Sequence, residues 1–272
     1  MKRWIERVAR YIVNRWARLQ RNWARRHKVL RARVNSRGVR QAVQETALKR
    51  FNKPPVGDKI RPMVGGGLPV IHEFAAPGTV AEDLAWDGLH LWVCDWDTSL
   101  IYQMNPATGT IHRAIGTDVA MEAITWNGRA VCGASIAGAD AIYSIDPADG
   151  MITRLCAAPG TDGGTRGLCW DGRHFWTNNL IDWTTYQIDA QGTILHSFAT
   201  PFFNPGGLTW AGGYLWTCEL AGIFYRIDPR TGKVVDYITS PAGAPTGVTW
   251  DGQSLWNVDE GTHKIYQLRV AQ

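Results

Sequence analysis

The chain of 272 residues carries no catalytic signature. There is no phosphate-binding loop and no dinucleotide fingerprint, and Gly133-Ala134-Ser135-Ile136-Ala137-Gly138 misses the Gly-x-Ser-x-Gly elbow by one residue. Cysteine is scarce and odd in number, five in all, with no Cys-x-x-Cys spacing, so a thiolate metal site is not indicated. The expected state is buried reduced thiols, which fits a reducing compartment and a cytoplasmic location. No run approaches the roughly 18 apolar residues of a membrane span. Tyr11-Ile12-Val13 is cut off by Asn14-Arg15, so a secretory h-region is not expected, and the Arg-rich start resembles an organelle transit peptide only weakly because Ser is rare in it.

Acidic residues are nearly missing from one end. Residues 1–63 hold 19 of the 29 Lys and Arg against Glu6, Glu45 and Asp58, a net of +16. The remaining chain has 10 basic and 21 acidic residues, a net of −11. The overall charge of +5 therefore hides a basic arm on an acidic body, a division that points to a polyanionic partner for the arm.

What the body has is a repeat. The segments 83–92, 123–132, 167–176, 207–216 and 247–256 are one motif in five copies, with the first Trp at positions 86, 126, 170, 210 and 250. Each copy reads as four short strands. Asp87-Gly88, Asn127-Gly128, Asp171-Gly172 and Asp251-Gly252 follow the first strand as hairpin turns. A second strand of Leu-Trp type and a third carrying Tyr follow, closed by turns such as Asn105-Pro106-Ala107-Thr108-Gly109 and Asp228-Pro229-Arg230-Thr231-Gly232. The fourth strand varies. Four strands in about forty residues is a propeller blade. Val70–Pro77 matches Ile194–Pro201, the fourth strand of the third copy, and the fifth copy lacks its own, so the N-terminal strand is expected to complete the last blade.

The expected fold is thus all-β, a five-bladed β-propeller over 68–272 with repeats near 83–122, 123–166, 167–206, 207–246 and 247–272 plus 68–77. Ahead of it stand a basic helical arm (1–53) and a Pro/Gly linker (54–67). Within the arm, Trp4, Val8, Tyr11, Ile12, Trp16, Leu19 and Trp23 recur at helical steps over 2–30, and Gln41–Arg50 reads as a second short helix. The candidate partner-binding residues are Lys2, Arg3, Trp4, Arg7, Arg10, Trp16, Arg18, Arg21, Trp23, Arg25, Arg26, Lys28, Arg31 and Arg33. Three uses fit them: lying in an anionic membrane interface, neutralising nucleic-acid phosphates, or packing on a partner protein or on the propeller's own acidic surface.

The motif Gly-Leu-x-Trp-Asp-Gly-x-x-Leu-Trp resembles repeats of the NHL, SMP-30/gluconolactonase and virginiamycin B lyase group, and is similar to those of five-bladed glutaminyl cyclases. The resemblance implies an architecture much more than an activity. Two rings of positions belong at one mouth of the channel: Glu82, Glu122, Arg166, Gly206 and Thr246 at inner-strand starts, and Asp95, Ser135, Asn179, Glu219 and Asp259 at second-strand ends. Two carboxylates facing an arginine suit acid, base and anion-anchor roles, or a hard divalent cation.

The SMP-30 resemblance implies a cation held by Glu, Asn and Asp. Glu82 matches the Glu by type, while the later Asn-Gly and Asp-Gly are absent. The cyclase pattern of Gln-Gly-Leu and Asn-Gly-Ile is replaced by Glu82-Asp83-Leu84 and Thr246-Gly247-Val248. The lyase resemblance implies a catalytic His, for which His263 is the candidate. No set transfers whole, no cofactor is called, and the leading expectation is a non-enzymatic binding or scaffold propeller. A propeller lyase, hydrolase or cyclotransferase is the alternative.

Overall fold

The computed structural model describes residues 67–136, 140–160, 164–202 and 204–270. The chain divides into two units, Met1–Gly57 and Asp58–Gln272, and every described residue lies in the second. The helices expected over 2–30 and 41–50 lie outside the described residues.

Twenty strands form five antiparallel four-stranded sheets. Blade I holds β2 (Ala81–Trp86), β3 (Leu91–Asp95), β4 (Leu100–Met104) and β5 (Ile111–Gly116). Blade II holds β6 (Ala123–Trp126), β7 (Val131–Ser135), β8 (Ala141–Ile145) and β9 (Ile152–Ala157). Blade III holds β10 (Thr165–Trp170), β11 (Phe175–Asn179), β12 (Thr184–Ile188) and β13 (Ile194–Ala199). Blade IV holds β14 (Pro205–Ala211), β15 (Tyr214–Glu219), β16 (Ile223–Ile227) and β17 (Val234–Thr239). Blade V holds β18 (Pro245–Trp250), β19 (Ser254–Asp259) and β20 (Lys264–Arg269), with β1 (Val70–Ala75) antiparallel on β20 as its outer strand. The inner strands β2, β6, β10, β14 and β18 contact one another in a full circle, β18 against β2 included.

Alternation along the strands sends apolar side chains to both faces of each blade, because both faces are covered by neighbours. Five core clusters result, one for each interface between blades. That between blades V and I unites Leu84, Leu91, Val93, Tyr102 and Met104 with Trp256, Val258 and Ile265. Each large side chain buried this way contributes about 1.5–3 kcal/mol before chain entropy is charged against it.

The recurring Asp-Gly-x-x-Leu-Trp has a physical cause beyond turn propensity. The loop 87–90 is four residues long, and Trp86 and Leu91 are its last paired residues. Asp87 Oδ1 accepts the N–H groups of Leu89 and His90 at 2.8 and 2.7 Å, while Oδ2 accepts the indole N–H of Trp92 at 2.8 Å. Asp171 does the same for Arg173, His174 and Trp176, and Asp251 for Gln253, Ser254 and Trp256. One carboxylate thus caps the loop and satisfies a buried indole, tying hairpin to core. Blade II keeps half of this clasp, since Asn127 Oδ1 caps Arg129 and Ala130 where Cys132 replaces the Trp. Blade IV omits it. Its loop is only Gly212-Gly213, both at positive φ (59° and 81°), between the paired residues Ala211 and Tyr214.

In the turns that follow the third strands, Gly109 and Gly232 sit at φ 71° and 68°, and a Cβ on either would run into Phe74 or Phe198 of the adjacent blade's outer strand. The turn glycine there serves both backbone and packing. No helix among the described residues is long and apolar enough to cross a membrane.

Candidate functional site

The first ring of positions is a ring of β-bulges. Register shifts separate Ala81 from Asp83, Thr165 from Gly167, Pro205 from Leu208 and Pro245 from Gly247. In blade II the N–H of Glu122 donates to the carbonyl of Ala134, which also faces Ala123 across the ladder. A bulge re-aims the extra residue, and here the residues at or beside the bulges are Glu82, Glu122, Arg166, Gly206 and Thr246. All the side chains are buried, with Glu82 4% and Glu122 2% exposed. Glu122 and Arg166, on adjacent blades, form an ion pair. Thr246 donates its hydroxyl to the carbonyls of Ala81 (3.3 Å) and Val258 (3.4 Å).

The second ring lies beside the first, as the pairs Ala81–Asp95, Thr165–Asn179, Pro205–Glu219 and Pro245–Asp259 require. Three of its members hold loops. Asp95 Oδ2 accepts the N–H groups of Thr79 and Val80, both at 2.7 Å, and Oδ1 accepts the N–H and hydroxyl of Thr98 at 2.8 and 2.7 Å. Asp259 takes the N–H of Ala244 at 2.7 Å and the N–H and hydroxyl of Thr262 at 2.9 and 3.1 Å. Asn179 Oδ1 accepts from Ile181 and Asp182, and Glu219 accepts the Tyr225 hydroxyl at 2.8 Å. Burial first, then the Glu219 charge, push the Tyr225 phenol up, so it stays a donor. Ser135 is fully buried. Asp95, Asn179 and Asp259 fasten the ends of three second strands to their neighbouring loops, a duty that occupies their side-chain oxygens.

His263 is exposed at the rim of blade V. Its φ of 54° is shared by Ser99 (56°) and Trp183 (55°) at the same turn of blades I and III, and by Gly222 (87°) in blade IV. Its carbonyl accepts the N–H of Ala76 at 2.9 Å, and it lines a small recess with Gly78, Thr79, Ala81, Asp259 and Glu260, so of the expected residues Asp259 shares its recess. Glu82, Glu122 and Arg166 are not among the residues lining that recess.

The residue next to the expected ring reaches the inner strands on both sides of its own. Asp83 is fully buried; its Oδ1 accepts the N–H of Val248 at 3.2 Å and its Oδ2 the N–H of Ile124 at 3.1 Å. Burial pushes this carboxyl well above the usual carboxylate range, against the pull of the N–H groups of Leu84, Ile124 and Val248, and the charge of Glu82 adds to the rise. The same repeat position holds Ala123, Gly167, Gly207 and Gly247. A Cβ on Gly207 would stand 2.4 Å from Asp83 Oδ1, and one on Gly247 would stand 2.4 Å from Asp83 Cα. The sequence signal was therefore present: one acid where every other blade has Ala or Gly.

All five cysteines are free and buried. Burial pushes Cys132 up to about 12 and also raises Cys94, Cys169 and Cys218, which makes inert thiols rather than nucleophiles. Among the described residues no group of three or more His, Cys, Asp or Glu is placed to hold a metal ion.

A family described as a repeat of unknown function (DUF6923) matches residues 130–272. No curated protein matches the sequence. Among solved structures, the glutaminyl cyclase of Myxococcus xanthus is similar over 74% of this chain and 95% of its own, with a TM-score of 0.61 and 14% identity. The PQQ-bound aldose sugar dehydrogenase of Streptomyces coelicolor is similar over 78% and 100%, with a TM-score of 0.52 and 14% identity. A virginiamycin B lyase from Staphylococcus aureus matches over 73% and 69% at 21% identity, but its TM-score of 0.47 adds nothing to the comparison. At such identities the likeness is one of fold.

Proposed function

Taking as premise that the chain belongs to the DUF6923 repeat family, we propose that this propeller is a non-enzymatic binding module carried by its basic arm. The arm residues from Lys2 to Arg33 attach it to a protein assembly, an anionic membrane surface or a nucleic acid, and the acidic body presents the recognition face. The observation that carries this reading is the commitment of the mouth side chains. Asp95 and Asp259 are spent on loop backbone, Glu219 on Tyr225, and Glu122 on Arg166. A catalytic acid or base has to reach its substrate's proton, and these groups already hold structural partners.

The test is paired capture. Full-length protein and the 68–272 fragment are presented to the same host lysate, and bound material is eluted in salt steps. Capture confined to the full-length chain and lost with rising salt is the expected result, since exposed charge pairs are screened within about 8 Å at physiological ionic strength. Equal capture by both forms refutes the tether. Nucleic acid would identify itself by a log–log salt slope of about −0.9 per neutralised phosphate.

The buried Glu122–Arg166 pair, with Asp83 held above the carboxylate range nearby, favours a second reading, a propeller lyase, hydrolase or cyclotransferase acting at Glu82, Glu122 and Arg166. It expects a small ligand or divalent cation to raise the melting temperature. If Glu82→Gln and Glu122→Gln fold normally by circular dichroism and leave that rise intact, the enzyme reading fails.

A further inference from the structure

The inner strand of each blade is the edge of its own sheet, so half of its N–H groups point toward the axis without a ladder partner. Buried N–H groups need acceptors. At the level of Asp83 four of the five blades offer no side-chain acceptor, because they carry Ala123, Gly167, Gly207 and Gly247 there. Blade I alone supplies a carboxyl. It takes one N–H from β6, 41 residues away, and one from β18, 165 residues away. Those two strands flank β2 on its two sides.

The two ends of the propeller meet inside blade V, where β1 pairs with β20, and residues 76–80 lead from β1 straight into β2. The inner strand of blade I also touches β14 of blade IV across the ring. The space around the carboxyl is shaped to it: Gly207 and Gly247 leave no room for a Cβ, and the backbones of β14, β18 and β2 approach closely there. The charged side chains nearest along the inner edge are Glu82 on β2, Glu122 just ahead of β6 and Arg166 on β10, the last two paired with each other. Cys94 on β3 donates its thiol to the Asp83 carbonyl at 3.8 Å, so the residue is held from behind as well.

We propose that the Asp83 carboxyl is a latch at the inner edge of the ring, holding the inner strand of blade I to those of blades II and V at once. It acts on separation of these inner strands more than on the blades themselves, whose ladders it does not enter.

Residue-resolved hydrogen exchange on the full-length chain tests this, with Asp83→Ala, Asp83→Asn and, as a destabilised reference altered in blade III, Asp171→Ala. In Asp83→Ala the amides of Ile124 and Val248 are expected to lose about tenfold in protection beyond the loss at blade III amides, the factor that one hydrogen bond of ordinary net strength represents. Asp83→Asn keeps one acceptor oxygen and turns an NH2 toward the other donor, so one of the two amides is expected to stay protected and the other to open. Protection at both amides unchanged in either variant overturns the latch. So does a loss spread evenly over all blades as in Asp171→Ala. If Asp83→Ala does not fold, Asp83→Asn alone decides by the same two outcomes.

Discussion

Removing the carboxylate of Asp171 should cost far more than an exposed loop substitution, and most of the cost should depend on a tryptophan five residues away. Asp171 accepts the N–H groups of Arg173 (2.8 Å) and His174 (2.7 Å), the indole N–H of Trp176 (2.8 Å) and the amide of Gln187 (3.2 Å). In Asp171→Ala the loop amides can turn to water. The indole cannot, because Trp176 is only 2% exposed. A buried donor left without an acceptor costs about 1–3 kcal/mol, and the lost loop cap adds about 1 kcal/mol. The expected loss is therefore about 2–4 kcal/mol, or roughly 5–15 °C in Tm for a domain of this size. Trp176→Phe removes the donor itself. In that background Asp171→Ala should cost only the cap, about 1 kcal/mol, so a double-mutant cycle read by urea unfolding should show a coupling of about 1–3 kcal/mol. Additivity of the two substitutions within about 0.5 kcal/mol would refute the clasp as the cause of the repeat's Asp–Trp spacing.

Acid should act through the same clasps. Burial pushes the Asp87 and Asp171 carboxyls up, yet the combined hydrogen bonds from His90 or His174, the indoles and the loop amides hold both below the ordinary carboxylate value. A depressed folded value means stability present above the unfolded carboxylate pKa, near 4, and lost as pH falls through the folded one. Urea midpoints should thus drop below about pH 4, and an Asp87→Asn, Asp171→Asn variant should drop less over that window; equal slopes would contradict the assignment. Gly207→Ala should destabilise by about 1–3 kcal/mol or more, because its Cβ would meet Asp83 Oδ1 at 2.4 Å, the Val248 nitrogen at 2.6 Å and Gly247 Cα at 2.7 Å. Unchanged unfolding in that variant would contradict the close approach of the inner strands. The native protein should leave a thiol reagent unconsumed on a timescale of minutes and titrate all five cysteines once unfolded; fast reaction of any thiol in the folded state would contradict their burial.

Much of the architecture was legible because it is written locally and repeated. The Trp positions, the Asp-Gly and Pro-x-x-Gly turns and the alternation of each strand are short-range signals, and five copies make blades whatever lies beside them. The Asp of Asp-Gly read as a turn residue, and its second duty toward the indole was missed because that contact depends on which way the next strand's Trp packs.

The mouth was legible only as a list of positions. Sequence spacing placed the two rings side by side, as the strand register has them. It did not say that bulges turn Glu122 and Arg166 toward each other across 44 residues, or that Asp95 and Asp259 are consumed by backbone donors. Nor did it single out Asp83, whose partners are 41 and 165 residues away. Turn chemistry and strand period are set by neighbours along the chain, so the sequence by itself determined the blades. Which polar group meets which is set by the ring that brings five inner edges together, and only the tertiary structure decided that.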